Sequence, residues 1–311
     1  MNLAFVFPGQ GSQSVGMQAD LPDTYVIARE TYDEASSVLG FDLLDLVANG
    51  PAPKLDDTVN TQPAMLAAGV ATWRAWLASG GPQPAMMAGH SLGEYTALVC
   101  AGVLEFADAV RLVRRRAELM QGAVPAGEGA MAAILGLDDD VVAAVCESAS
   151  ESGVAEPVNF NSPGQVVVAG ASVAIDRVLE LAKEAGARRA LKLAVSVPAH
   201  SSLMRPAGEK LAESLAATRF AAPAVTVVCA VDGTPYDGPD DIQRRMQAQV
   251  YSPVRWVQTV GHMASGGITH VAECGPGKVL AALNRRIDRS LAATALDSSA
   301  AIQTFLTEIS A

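Results

Sequence analysis

Ala85-Met86-Met87-Ala88-Gly89-His90-Ser91-Leu92-Gly93-Glu94-Tyr95-Thr96-Ala97-Leu98 reads as a short apolar strand, a glycine-flanked turn and the start of a helix. A strand that turns this sharply into a helix lifts the central side chain clear of the backbone. The two glycines remove the Cβ atoms that would collide there. With serine at the apex, G-x-S-x-G in this setting predicts an exposed nucleophile, and the following amide, that of Leu92, points toward a developing oxyanion.

Outward from this turn, strand and helix patterns alternate. Leu3-Ala4-Phe5-Val6-Phe7 predicts a buried strand ending at Pro8, followed by the loop Gly9-Gln10-Gly11-Ser12-Gln13. A dinucleotide fingerprint would need glycine at position 14, where Ser14 stands, so that reading is rejected. Helices are expected over 24–39 and 63–79, with two more between the turn and Gln121, which together imply a parallel sheet. Val124-Pro125-Ala126-Gly127-Glu128-Gly129 then breaks the pattern.

The next segment carries a complete order of its own: strand 130–135, helix 139–150, strand 156–160, turn 162–164, strand 165–169, helix 172–185 and strand 190–195. This β-α-β-β-α-β series predicts a ferredoxin-like unit. After Pro198 the first pattern resumes with helix 202–216, strand 225–229, helices 240–249 and 254–264, strand 269–273 and a last major helix after Gly277. The expected architecture is α/β, a hydrolase-like large domain with a mostly parallel sheet (1–125 and 198–311) and an inserted ferredoxin-like small domain (126–197).

The chain has 311 residues, half of them hydrophobic, with a formal net charge of -11. That balance argues against nucleic acid as a partner, because a phosphate backbone calls for a broad basic surface. Cys100, Cys146, Cys229 and Cys274 are scattered without metal-ligand spacing, so they are expected as buried thiols, with no metal site. No basic segment precedes the first apolar run and polar residues interrupt every apolar stretch, so neither a signal peptide nor a membrane span is expected, and the expected location is cytoplasmic.

A serine nucleophile needs a base within hydrogen-bond reach. Of the four histidines, His90 sits on the turn itself, where adjacent side chains diverge, His262 belongs to a helix and His270 begins a strand. His200 lies in the loop Val197-Pro198-Ala199-His200-Ser201 where the small domain returns to the large one, and is the expected base. No acid between Ser91 and His200 stands out as a third member, which favours a dyad with His200 oriented by a backbone carbonyl. In Val110-Arg111-Leu112-Val113-Arg114-Arg115-Arg116-Ala117-Glu118-Leu119-Met120, Arg116 flanks the buried stripe while Arg115 points away. An inward guanidinium is either a reader of an acidic acyl group or one half of a structural ion pair.

In this order, Phe7-Pro8-Gly9-Gln10-Gly11-Ser12-Gln13, Thr61-Gln62-Pro63-Ala64, Gly89-His90-Ser91-Leu92-Gly93-Glu94, Asn159-Phe160-Asn161-Ser162-Pro163-Gly164-Gln165 and Cys274-Gly275-Pro276-Gly277 make the chain resemble the malonyl-CoA:acyl-carrier-protein transacylases over nearly its whole length. The resemblance implies Ser91 as nucleophile, His200 as general base and acid, and Arg116 as the clamp on the malonyl carboxylate. It further implies oxyanion donors at the Gln10 and Leu92 amides and a histidine-orienting carbonyl at Gln249. The implied activity passes malonyl from malonyl-CoA to the phosphopantetheine thiol of an acyl carrier protein, with fatty acid biosynthesis as the expected pathway and no cofactor. The departures from the family pattern are Ala117, after the clamp arginine, and Ala230.

Two rivals share parts of this reading: a serine hydrolase such as a thioesterase, and a non-catalytic carrier-binding subunit. An acidic carrier would need local basic patches, for which Lys183, Arg188, Arg189 and Lys192, or Lys278, Arg285 and Arg286, are the expected sources.

Overall fold

The computed structural model describes residues 2–195 and 197–310; Met1, Ser196 and Ala311, which the expected domain ranges include, lie outside the described residues. Two sheets organise the chain. The first holds five strands in the order β7-β2-β1-β8-β9: β1 (Leu3–Phe7), β2 (Met86–Gly89), β7 (Thr226–Val228), β8 (His270–Glu273) and β9 (Ala292–Ala295). Every neighbouring pair in it runs parallel. Both of its faces are covered, so its central strand is apolar throughout rather than alternating. Leu3, Phe5 and Phe7 pack into one buried cluster, and Ala4 and Val6 into the cluster on the opposite face. Full burial of Phe5 and Phe7 contributes about 1.5 to 3 kcal/mol each.

The second sheet holds β4 (Ala155–Ser162), β5 (Gln165–Ala171), β3 (Gly129–Leu135) and β6 (Arg189–Lys192), in the order β4-β5-β3-β6 with all pairs antiparallel. Helices Asp139–Ala149 and Ser172–Glu184 supply residues to the core on one side, where Val166 and Val168 point. Val167, Ala169 and Met131 point the other way, into a smaller cluster that Leu193, Val195 and Ala199 adjoin. The expected ferredoxin-like order is therefore the observed one. The second sheet is stitched to the first unit by Phe160 N donating to Val254 O at 2.9 Å and Val254 N to Val158 O at 2.8 Å.

That stitch explains one displaced boundary. Val254, expected to open a helix, is spent on β4, and the helix begins at Trp256. The helix expected from residue 63 begins at Thr58 and runs through Pro63 to Ala78. Its first turn is braced by Thr61, whose hydroxyl donates to the carbonyls of Leu55 and Asp57. The helix expected from Ser202 opens as a 3-10 turn, Ser202–Met204, and becomes α-helical at Arg205. The strand expected to reach Val195 stops at Lys192, and residues 193–195 instead line a cavity. The helix after Gly277, Val279–Ile287, is not the last: β9 and the helix Ser299–Ser310 follow, and Phe305 of that helix packs against Trp76 at 5.7 Å. Cys146, Cys229 and Cys274 are buried as expected, whereas Cys100 is only half-buried.

No helix among the described residues is long and apolar enough to cross a membrane.

Candidate active site

Adjacent parallel strands β1 and β2 end side by side, so the loop after Phe7 and the turn after Gly89 meet at the carboxyl edge of the sheet, where ligands bind in open α/β folds. The turn is as tight as its glycines suggest. A Cβ on Gly89 would lie 1.9 Å from the Gly93 carbonyl carbon, and one on Gly93 would lie 2.0 Å from the Phe7 oxygen. Ser91 sits at φ 52° and His200 at φ 67°, two of three non-glycine residues in the left-handed region among those described. Such backbone costs of order 1 kcal/mol or more and persists only where surrounding contacts impose it. Here the contacts are His90 N to Phe7 O at 3.0 Å, and His200 N to Val250 O at 3.1 Å.

The two side chains so presented meet. Ser91 Oγ lies 2.7 Å from His200 Nε2, and His200 Nδ1 lies 2.7 Å from the backbone oxygen of Gln249. A carbonyl only accepts, so Nδ1 carries the proton and Nε2 is left to accept from the serine hydroxyl. His200 is 3% exposed. Burial, reinforced by the Arg116 charge, pulls its imidazole from 6.5 down to about 3, which keeps it neutral and able to accept. His90 points elsewhere: its Nε2 lies 2.8 Å from Asn161 Oδ1 and its ring packs against Trp256.

Arg116, on the helix Phe106–Gln121, is 2% exposed, while Arg115 is exposed and reaches Glu118 at 3.7 Å. Its Nη1 donates to Gln62 Oε1 at 2.9 Å, and its Nη2 to Gln249 Oε1 at 3.0 Å and to Ser91 Oγ at 3.2 Å. It lies over the Tyr95 ring at 5.7 Å. Among the described residues no carboxylate forms an ion pair with it, and its Nε has no hydrogen-bond partner. The structural ion pair that periodicity left open is therefore not what is found. A buried guanidinium held by neutral amides retains its attraction for an incoming anion.

Ser91, His200, Arg116, Gln10 and Leu92 all line one cavity of about 410 Å³. Its opposite wall comes from the second sheet and its exit, through Met131, Asn159 and residues 193–195. Among the described residues neither the Gln10 nor the Leu92 amide has a protein acceptor.

Sequence reasoning gave no role to Glu94, Gln62 or Tyr236. Glu94 is fully buried beneath the turn, and its Oε2 accepts from Gln249 Nε2 at 2.5 Å. Its Oε1 accepts from Tyr236 Oη at 2.7 Å and from Ala230 N at 3.1 Å. Glu94 thus reaches Gln249 rather than His200, whose Nδ1 meets a backbone carbonyl. Its place directly after the second glycine of the turn was the available signal. No group of three or more metal-ligating side chains gathers among the described residues.

Of the two basic clusters, the first is partly spent: Lys192 pairs with Asp176 at 2.8 Å. Lys183, Arg188 and Arg189 are exposed and have no carboxylate partner among the described residues. In the second, Lys278 pairs with Asp297, Arg285 donates to the Ala293 carbonyl and Arg286 to Gln165.

Residues 4–301 match the family model of the acyl transferase domain. The chain is 56% identical over 299 residues to the malonyl CoA-acyl carrier protein transacylase of Escherichia coli K12, covering 96% of this chain and 97% of that one. It superposes on the acyl-carrier-protein S-malonyltransferase of Burkholderia pseudomallei 1710b with a TM-score of 0.97 at 54% identity, covering 99% and 100% of the two chains. A malonyl-transacylase solved in complex with a type II PKS acyl-carrier protein matches with a TM-score of 0.98 at 48% identity, covering 99% and 100%. With this agreement over nearly the full length, the chain belongs to the acyl transferase family, among the malonyl-CoA:acyl-carrier-protein transacylases.

Proposed function

We propose that this chain moves a malonyl group from malonyl-CoA to the phosphopantetheine thiol of an acyl carrier protein through a malonyl-serine intermediate, as a cytoplasmic enzyme of fatty acid biosynthesis. The observation that carries the reading is the Ser91 Oγ to His200 Nε2 contact of 2.7 Å beside a buried arginine with no carboxylate partner among the described residues. The names of the relatives supply the substrate pair.

In this scheme Ser91 Oγ attacks the thioester carbonyl while Nε2 of His200 takes its proton. The Gln249 carbonyl holds the imidazole in the accepting tautomer and steadies the imidazolium. The Leu92 and Gln10 amides donate to the tetrahedral oxyanion. Collapse expels the thiol of coenzyme A, which takes the proton back from His200. The carrier thiol then attacks the ester carbonyl, giving its proton to His200, and serine leaves with it. Arg116 grips the far carboxylate of the malonyl group through parallel hydrogen bonds. An acetyl group would leave that charge without a partner, which is the basis for selection.

Residues 1–125 and 198–311 are read as the domain that carries Ser91, Arg116 and His200, and 126–197 as the domain that closes the cavity. The exposed Lys183 and Arg188 precede β6 and the exposed Arg189 opens it; the continuation of that strand lines the cavity, and this supports docking of an acidic carrier there.

Brief mixing with radiolabelled malonyl-CoA, then mass spectrometry of the peptide spanning Ser91, tests the scheme. A malonyl adduct on Ser91 that persists without thiol and transfers to carrier is expected, and its absence refutes the scheme. Rapid loss of the adduct to water would indicate a hydrolase instead.

A further inference from the structure

Arg116 and Glu94 are a buried cation and a buried carboxyl in one site, yet they do not touch. Between them lies the side-chain amide of Gln249, whose Oε1 accepts from Arg116 Nη2 at 3.0 Å and whose Nε2 donates to Glu94 Oε2 at 2.5 Å. The same Nε2 donates to the backbone oxygen of Ser91 at 2.9 Å. Glu94 faces donors on both oxygens: Gln249 on Oε2, and Tyr236 and Ala230 N on Oε1. Of these partners only the Tyr236 hydroxyl could accept from a protonated carboxyl, and the Gln249 and Ala230 N–H donors suit the carboxylate. Burial works against that charge and pushes the Glu94 carboxyl upward, and the same burial pulls Arg116 downward. The Glu94 charge lies within electrostatic reach of Arg116 and raises it, offsetting part of that cost.

The geometry points to the Gln249 side chain as a neutral spacer that lets Glu94 compensate the charge of Arg116 from a distance while leaving the guanidinium free to pair with the carboxylate of the acyl substrate. This rests on the reading of Arg116 as the carboxylate clamp. A direct Glu–Arg pair would hold the guanidinium just as firmly but would already occupy the anion site. With no compensation at all, a buried cation would be costly to keep. An amide avoids both outcomes, since it bridges by hydrogen bonds, carries no charge and has its orientation set by the donors and acceptors on either side. Gln249 and Glu94 are on this view positioning residues for substrate choice, in addition to the backbone role of Gln249 toward His200.

The test exchanges the two groups. In the double variant Glu94→Gln, Gln249→Glu the net charge is unchanged, position 94 can still accept from Tyr236 and Ala230, and position 249 can still accept from Arg116. The carboxylate moves from one amide away to direct contact with Arg116, and the Nε2 donation to the Ser91 backbone oxygen is lost with it. Gln249→Met, which loses that donation without placing a carboxylate on Arg116, is therefore measured as the control and is expected to keep the malonyl preference. KM and kcat for acyl-enzyme formation are measured with malonyl-CoA and acetyl-CoA, alongside Arg116→Ala, with melting temperature as a check on folding. The exchange is expected to raise the malonyl KM and lower the malonyl-to-acetyl preference by roughly 10- to 100-fold, the range for a charge-assisted hydrogen bond pre-empted in a buried site.

A double variant that keeps the wild-type malonyl KM and preference, while Arg116→Ala loses them, overturns the spacer and leaves the clamp standing. Retention of malonyl preference by Arg116→Ala sinks the clamp itself. Should the double variant melt below the assay temperature, Gln249→Glu alone carries the same expectation, because two adjacent acids share one proton and the other oxygen still faces Arg116.

Discussion

Replacing Arg116 with methionine should move the acid limb of acylation upward in pH, and the structure sets how far. His200 is held near 3 by burial first and by the Arg116 charge second. Nε2 of His200 is 2.7 Å from Ser91 Oγ, which is 3.2 Å from Arg116 Nη2, so the two nitrogens are separated by no more than about 6 Å. At an effective dielectric of about 20, like charges at that distance repel by about 2 to 3 kcal/mol. Spreading of the guanidinium charge reduces this, and an upward displacement of about one to two pH units follows. Desolvation remains in the variant, so its limb should still fall below the ordinary 6.5.

The assay is the pH dependence of kcat/KM for serine acylation by acetyl-CoA, a donor whose acyl group has no carboxyl either to titrate or to engage Arg116. Wild type should be flat down to the onset of acid unfolding, and Arg116→Met should lose rate at roughly pH 4 to 5. A wild-type limb near 6.5, or a limb in the variant that has not risen, would refute the electrostatic reasoning. The same logic links substrate to base. On the proposed scheme a malonyl carboxylate on Arg116 cancels the charge that depresses His200, so malonyl-CoA should make the general base stronger.

Three further outcomes are expected. Gly93→Ala would place a methyl group 2.0 Å from the Phe7 oxygen, a backbone atom fixed in the central strand, and should lower stability by about 3 kcal/mol or more in urea denaturation. The Glu273 carboxyl is raised by burial from 4.5 to about 6, so it favours the fold while protonated and its contribution is lost as pH rises from about 4.5 through about 6. Stability of wild type relative to Glu273→Gln should accordingly decline by about 2 kcal/mol between pH 4 and pH 7, read from paired melting curves, and a constant difference would contradict it. Arg189→Glu should raise KM for an acidic carrier while leaving malonyl-enzyme formation from malonyl-CoA unchanged, and unaltered carrier kinetics would remove this patch from the docking surface.

What could be read from the chain follows the range of the interactions involved. The turn at Ser91 was legible because its constraint is local: Gly89 and Gly93 are needed by atoms that the same short stretch and the neighbouring strand supply. The second sheet was legible because its whole order lies within one continuous segment. Strand β9 was not, since it is a four-residue edge strand, and its pairing with β8 is all that defines it. Pro63 misled because a proline usually marks the beginning of a helix. Here the turn before it is held by the Thr61 hydroxyl and the carbonyls of Leu55 and Asp57, a contact that no periodicity reports.

The site shows the same division more sharply. Periodicity can say that Arg116 turns inward, since that depends on its own helix. It is silent on what stands opposite, because Gln62 and Gln249 reach it from 54 and 133 residues away. Yet those partners decide the chemistry. Had they been acids, Arg116 would be a spent structural cation. Because they are amides, the positive charge survives burial. Glu94 makes the complementary point: it adjoins the nucleophile turn in sequence, but reaches the site only through a glutamine 155 residues later. Glu94, to which the sequence reading assigned nothing, is on the proposal above the distant counter-charge to an arginine that no carboxylate touches among the described residues.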